Sequence, residues 1–253
     1  MPRTTAYVLV ARPPHQAAPL CAALKNAGLQ PLPLALIDTQ ACVPNNRNTI
    51  ENADWLIFTS PNAVVNARQL ISPTARYQIA AVGRATAKAL YDLGFTKVTI
   101  PESEYSSEGL LALENFSAVK NLRIAIIKGQ GGRELLKQQL QSAGAQTSEV
   151  CVYKRVTLTP SIEEITTAIE QATFAIITSQ EILQRLFEVT PYELQAKLLT
   201  LQLVVPSARV VQMAHSLGFT QVRQISSPLT ESAMVAAVLD AHTTAISSGH
   251  TDA

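Results

Sequence analysis

The sequence predicts an α/β protein with two five-stranded parallel sheets, each covered by helices on both faces. Two observations predict it. Short β-branched runs alternate with helical patterns along the whole chain, the arrangement that gives parallel strands joined by crossover helices. The alternation also repeats, so the ten runs suit two small sheets better than one large one. Flavodoxin-like order is the simplest choice for such a sheet.

The repeat is read directly from the residues. Val8-Leu9-Val10 leads through a loop into Leu20 to Asn26 and then Ala27-Gly28-Leu29, and Ile124-Ala125-Ile126-Ile127 leads in the same way into Glu134 to Ser142 and Ala143-Gly144-Ala145. Ile57-Phe58-Thr59-Ser60 returns as Ile176-Ile177-Thr178-Ser179, and Leu93-Gly94-Phe95-Thr96 returns as Leu217-Gly218-Phe219-Thr220. The chain is thus two similar halves, 1–119 and 120–241. Strands are expected at 7–11, 30–34, 54–58, 78–82 and 97–100, then at 123–127, 147–153, 173–177, 201–205 and 221–225. Helices fall between them. Gly28, Gly94, Gly144 and Gly218 follow helical patterns, where a left-handed C-cap favours glycine. Residues 38–49 read as a linker and 154–163 as its return partner; the polar tail from Thr243 is expected to be disordered.

Composition narrows the class. The 253 residues are 47% hydrophobic and carry a formal net charge of +1. There is no basic field for nucleic acid or a membrane surface. The three cysteines, Cys21, Cys42 and Cys151, form no CxxC and suit a reducing cytosol. No apolar run is long enough to span a membrane, and Pro13 and Pro14 break the first one, so no signal segment is expected. His15, His215, His242 and His250 have no metal-ligand spacing.

In a doubly wound sheet ligands bind beyond the carboxyl ends of the strands, so the loops after strands are the candidate site. Thr59-Ser60-Pro61-Asn62 follows one strand, and Thr178-Ser179-Gln180 follows its repeat. Each offers hydroxyls and helix N-terminal N–H groups to an anion, or simply caps its helix. Gly83-Arg84-Ala85-Thr86 and Pro206-Ser207-Ala208-Arg209 form a second pair, each with a cation; the alternative is a tight turn with solvated arginines. Lys128-Gly129-Gln130-Gly131-Gly132-Arg133-Glu134 lacks the dinucleotide spacing and no Walker lysine follows, yet three glycines after a strand either cradle an anion or turn the chain. Ser107 begins a helical pattern after a Ser-rich turn. Tyr153, in Cys151-Val152-Tyr153-Lys154-Arg155, ends the strand leading into the return linker, and an amphipathic tyrosine covering a strand end is its plain reading. A catalyst built from these groups works by hydrogen bonds, charge and shape.

Taken in order, these segments resemble the uroporphyrinogen-III synthase family. The resemblance rests on Leu9-Val10-Ala11-Arg12-Pro13, Ile57-Phe58-Thr59-Ser60-Pro61-Asn62-Ala63-Val64, Val82-Gly83-Arg84-Ala85-Thr86-Ala87, Gly129-Gln130-Gly131-Gly132-Arg133-Glu134-Leu135, Val152-Tyr153-Lys154-Arg155, Ile177-Thr178-Ser179 and Ser207-Ala208-Arg209. It runs from about residue 8 to about residue 240; the 206–209 loop departs from the Gly-Pro-Thr-Thr form of some relatives.

The resemblance implies two flavodoxin-like domains joined by a two-stranded linker, bilobed with a central cleft. The first is discontinuous, 1–37 plus 160–243, and encloses the second at 50–150; 38–49 and 151–159 are the linker strands and 244–253 the disordered tail. It implies a cofactor-free, metal-free cytoplasmic monomer that dehydrates and cyclises hydroxymethylbilane, with transient handover from the preceding pathway enzyme. A flexible polyanion held bent between lobes is entropy-trap catalysis. Tyr153 is implied as the catalytic residue. Arg12, Thr59, Ser60, Asn62, Gly83, Arg84, Thr86, Ser107, Gly129, Gly131, Gly132, Arg133, Thr178, Ser179, Ser207 and Arg209 are implied to bind substrate. A hinge-linked binding protein and a nucleotide-dependent transferase are the competing classes; the missing signal segment and the missing phosphate fingerprint argue against them.

Overall fold

The structure, a computed structural model, describes residues 6–44, 48–132, 134–225 and 230–248. In chain order it forms β1 (Tyr7–Val10), α1 (Pro14–Asn26), β2 (Gln30–Pro33), β3 (Ile37–Ala41), α2 (Asn48–Glu51), β4 (Trp55–Phe58), α3 (Pro61–Ala67), β5 (Gln78–Ala81), α4 (Arg84–Asp92), α5 (Ser107–Leu111), β6 (Arg123–Gly129), α6 (Leu135–Ser142) and β7 (Gln146–Thr157). There follow α7 (Ile162–Gln171), β8 (Phe174–Ile176), α8 (Gln180–Val189), α9 (Tyr192–Leu199), β9 (Gln202–Val205), α10 (Ala208–Ser216), β10 (Val222–Gln224) and α11 (Glu231–Ser248). The fold is α/β, with parallel-dominated sheets flanked by helices.

By contact density the chain divides into two compact units, Met1–Asp38 with Val156–Ala253, and Thr39–Arg155. The first holds the sheet β10-β9-β8-β1-β2, parallel at each pairing. Its inner strands β1, β8 and β9 are buried on both faces and read as unbroken apolar runs, whereas the edge strands β2 and β10 are half-buried to exposed and carry Gln30, Arg223 and Gln224. Leu9 packs into one core cluster, while Val8 and Val10 pack into the cluster on the opposite face.

The second unit holds β3-β7-β6-β4-β5, with β7, β6, β4 and β5 parallel. Leu56 and Phe58 point to one core, Trp55 and Ile57 to the other. Trp55 lies against Phe116 with ring centroids 5.0 Å apart. Between β3 and β7 the pairing is antiparallel: Cys42 donates its N–H to the Val152 carbonyl, and Leu158 donates to Leu36, so residue numbers run in opposite senses.

The repeated halves are not the two units. The first half gives β1 and β2 to one sheet and β4 and β5 to the other; the second half gives β6 and β7 to one and β8, β9 and β10 to the other. Each sheet is joined where a first strand of one half meets a third strand of the other, at β1–β8 and at β6–β4. Sequence similarity makes β4 and β8 interchangeable partners for β1, so spacing alone cannot assign them.

Several local expectations are sharpened. Gly28 and its repeat counterpart Gly144 have φ of 81° and 88°, the left-handed conformation expected past a helix end. The segment 97–100 makes only one parallel bridge, Thr99 to Ala80, and Pro101, which has no N–H, ends it. The segment 38–49 contains most of β3 and the start of α2. Helix α11 runs to Ser248, and residues 249–253 of the expected tail lie outside the described residues. No helix of the described residues is long and apolar enough to cross a membrane.

Candidate functional site

In the unit Thr39–Arg155, β4 and β6 are adjacent parallel strands, so their carboxyl ends and following loops lie side by side. A cavity of about 230 Å³ opens there. Thr59 and Ser60 line it from the β4 loop, and Gly129 to Gly132 from the β6 loop. Tyr153 closes it from β7, Ser107 from α5, and Lys137 from α6.

Tyr153 reaches this cavity because of a β-bulge. Lys128 pairs with Cys151, but Gly129 pairs with Tyr153, so β7 carries one extra residue at this point. A bulge re-aims the side chains beyond it. Tyr153 therefore joins the face that already holds Val150 and Val152 and is 6% exposed. Its ring crosses Gly129 so closely that a Cβ there would sit 2.5 Å from Cζ and 2.9 Å from the hydroxyl. Glycine is required by this approach rather than by its dihedrals. The Gln130 N–H donates to the Tyr153 carbonyl at 2.8 Å, tying loop to strand.

The Tyr153 hydroxyl lies 3.1 Å from Ser60 Oγ. Ser60 is the N-cap of α3, and its Oγ accepts the Ala63 N–H at 3.2 Å. Accepting from the backbone leaves the Ser60 O–H free to donate to the phenol oxygen, which in turn frees the phenol proton for a ligand. Capping and site geometry, which the sequence set as alternatives, coexist in this serine. Thr59 is held by its N–H to the Ile127 carbonyl at 3.2 Å.

Two charges in the same cavity, Lys137 and Glu149, were not singled out from the sequence, and Lys128 was read only as the start of the glycine loop. Lys128, 8% exposed, donates to Glu149 Oε1 at 2.6 Å, and Lys137 approaches Oε2 at 3.5 Å. The Lys128 hydrogen bond is the largest of the effects that hold the Glu149 carboxyl below the usual carboxylate range; burial opposes it. Arg155 also lines the cavity. A lysine closing an apolar strand was the available signal, but its partner depends on how β6 registers against β7.

The remaining expected residues lie elsewhere. Gly83 is the N-cap of α4; Arg84 stacks its guanidinium 4.5 Å from the Tyr105 ring centroid and donates from Nε to the Tyr105 hydroxyl. Thr86 is buried in the first turn of α4. Asn62 sits in α3, where its carbonyl accepts from Asn66 at 2.8 Å. None of these four lines the cavity. Arg133 lies outside the described residues.

Arg12, Thr178, Ser179, Ser207 and Arg209 belong to the other unit. Ser179 caps α8 through the Ile182 N–H at 3.2 Å, and Gln180 donates to the Arg209 carbonyl at 3.4 Å. Ser207 is the N-cap residue of α10 but makes no side-chain cap bond. Arg12 donates to Gln16 at 3.1 Å and lines a second cavity of about 620 Å³ with Cys21, Leu34 and Thr159. Burial lowers the Arg12 pKa, with Glu231 opposing that shift, and burial raises the Cys21 thiol. Among the described residues no cluster of His, Cys, Asp or Glu is placed to hold a metal ion.

Comparison with known proteins follows the same lines. The family described as uroporphyrinogen-III synthase HemD matches residues 18–236. The chain is 28% identical over 229 residues to the uroporphyrinogen-III synthase of Salmonella typhimurium, covering 85% of this chain and 93% of that one. It is 31% identical over 146 residues to the Escherichia coli enzyme of the same name, covering 56% of this chain and 59% of that protein's length. Among solved structures, uroporphyrinogen-III synthetase from Helicobacter pylori aligns with a TM-score of 0.64 at 14% identity, over 94% of this chain and 100% of that one. A uroporphyrinogen III synthase from Thermus thermophilus aligns with a TM-score of 0.59 at 18% identity, over 95% and 100%. At those identities the structural likeness speaks for the fold.

Proposed function

The chain belongs to the uroporphyrinogen-III synthase family, and from that premise we propose that it closes hydroxymethylbilane into uroporphyrinogen III, inverting the last pyrrole, in tetrapyrrole and haem biosynthesis. It does so as a cytoplasmic monomer built of two flavodoxin-like domains, without metal or cofactor. The observation that carries the reading is the tyrosine hydroxyl 3.1 Å from Ser60, set over Gly129 in a cavity floored by a glycine loop.

Tyr153 acts on the leaving group. Its O–H donates to the terminal hydroxyl of the linear tetrapyrrole, which departs as water and leaves an azafulvene cation. The substituted carbon of the last pyrrole attacks that carbon and gives a spiro pyrrolenine. Fragmentation and closure at the free position, with loss of a proton, yield the type III ring. Ser60, donating to the phenol oxygen, steers the phenol proton into the cavity. The glycine loop, with φ of 76° at Gly131 and 89° at Gly132, brings backbone close to the bound chain.

Uncatalysed closure gives the type I isomer, so isomer analysis tests the reading. The purified protein is added to hydroxymethylbilane generated in situ, and the oxidised products are separated by chromatography. Type III product supports the reading; type I alone from folded protein overturns it.

A further inference from the structure

The Lys128–Glu149–Lys137 cluster has no part in the chemistry described above, yet it lines the same cavity as Tyr153. Burying a lysine–glutamate pair is costly, and apolar residues of similar size commonly serve stability as well or better. Lys128 has a side chain only 10% exposed at the carboxyl end of β6, on the face that carries Ile126. Glu149 stands diagonally across on β7, paired with Ile126, and Lys137 reaches in from α6.

The charges do not cancel. Glu149 has two carboxylate oxygens, and each faces one lysine, Oε1 at 2.6 Å and Oε2 at 3.5 Å. An ammonium has three N–H donors, and each lysine gives one to Glu149. Leaving Arg155 aside, two cations meet one anion, so the cavity wall carries an excess positive charge at low exposure. Glu149 stays ionised because the Lys128 hydrogen bond holds its carboxyl below the usual range. It fixes the Lys128 ammonium in place without using up its donors.

We infer that Lys128 and Lys137 together receive one carboxylate of the acidic ligand, with Glu149 as the positioning residue that aims them beside Tyr153. This rests on the proposed substrate, whose acetate and propionate arms supply such carboxylates. Lys128 gives direction through its fixed ammonium. Lys137, whose side chain is 34% exposed on the helix, closes onto the second carboxylate oxygen. The pair thereby sets which side arm lies next to the tyrosine hydroxyl.

The test measures steady-state kinetics of the full chain for the wild type, Lys137→Ala, Lys128→Met and Lys128→Arg. Loss of one charge-assisted hydrogen bond to a bound carboxylate raises KM about tenfold or more in Lys137→Ala and Lys128→Met. In both, kcat changes by less than about threefold, since the contact is made equally in ground and transition states. Lys128→Arg recovers KM to within about threefold because the guanidinium retains the charge. Unchanged KM in Lys137→Ala, which removes only a partly exposed side chain and keeps the Lys128–Glu149 pair, overturns the inference even if Lys128→Met fails to fold. A wild type that makes no type III product defeats the proposed function itself. The carboxylate site is then read with citrate as the probe: a rise in Tm for wild type that is lost in Lys137→Ala upholds it, and equal shifts in the two overturn it.

Discussion

Gly129 and Tyr153 are mutually constrained: a single methyl on Gly129 would lie 2.5 Å from the tyrosine ring. The bulge between Lys128 and Gly129 brings the ring to this place, and the missing side chain lets it stay. Gly129→Ala must therefore push the hydroxyl away from Ser60 or reopen the bulge. Tyr153→Phe is expected to lower kcat about tenfold or more, as for loss of a positioned proton donor. Gly129→Ala is expected to do the same by displacement. Once Tyr153 is phenylalanine the added Gly129→Ala should cost little further in kcat, because both changes disable one group. Single and double variants assayed for turnover check this, and full additivity would separate the two residues.

Ser60 and Ser179 are repeat counterparts with the same capping geometry, each accepting a backbone N–H at 3.2 Å. Ser60 alone of the two also touches Tyr153. Replacing either by alanine should cost about 1 kcal/mol of stability, the usual value for an N-cap. Only Ser60→Ala should also lower kcat, by several-fold, through a misdirected phenol. The kcat of Ser179→Ala should stay near wild type, with any effect falling on KM. Urea midpoints and kinetics measured side by side separate the cap from the chemistry.

How legible this was depended on how local each determinant is. The glycine loop and Ser60 stood out because strand ends, caps and turns are written in neighbouring residues, whereas Tyr153 read locally as a tyrosine covering a strand end and was marked for the site only by the family resemblance. The ion pair of Lys128 and Glu149 joins residues 21 apart and exists only because β6 registers on β7 with Ile126 opposite Glu149. No local pattern encodes that register. The β-bulge that turns Tyr153 toward Ser60 is equally non-local. The repeat was plain, whereas the exchange of strands between its halves was not: Ile57-Phe58 and Ile176-Ile177 have the same apolar character beside either β1 or β6. Arg84 and Thr86 looked like ligand donors by position, but packing gave one to Tyr105 and buried the other.

Acid should expose the role of Glu149. Its folded pKa is depressed, chiefly by the Lys128 hydrogen bond, so its stabilising effect is fully present above the unfolded carboxylate value of about 4.3. That effect is lost as pH falls through the lower folded value. Glu149→Gln leaves Lys128 buried without its anion and should unfold at lower urea than wild type at pH 7. The gap should narrow as pH falls below the unfolded value of about 4.3 and on through the lower folded one. Asp54, depressed first by its side-chain hydrogen bond with Arg123, keeps an acid slope in both proteins. A gap that stays constant down to low pH would show that the ion pair is not what the glutamate contributes.

The exchanged strands make a prediction about fragments. A repeat whose halves were independent domains would give a stable piece when cut after residue 119. Here such a piece contains β1 without β8 and β4 without β6, the central neighbour missing in each case. It loses the Thr59-to-Ile127 backbone bond and leaves Leu9 and Ile57, both fully buried in the intact chain, without one packing face. The piece 39–155 instead keeps β4, β5, β6 and β7 together with both core clusters of that sheet. It should unfold in urea as one cooperative transition with an m-value of about 1–2 kcal/mol/M, as a small domain does. The piece 1–119 should show no such transition and should expose apolar strand edges prone to association. If 1–119 folded cooperatively and 39–155 did not, pairing would follow the repeat, and the placement of Tyr153 beside Ser60 would fall with it.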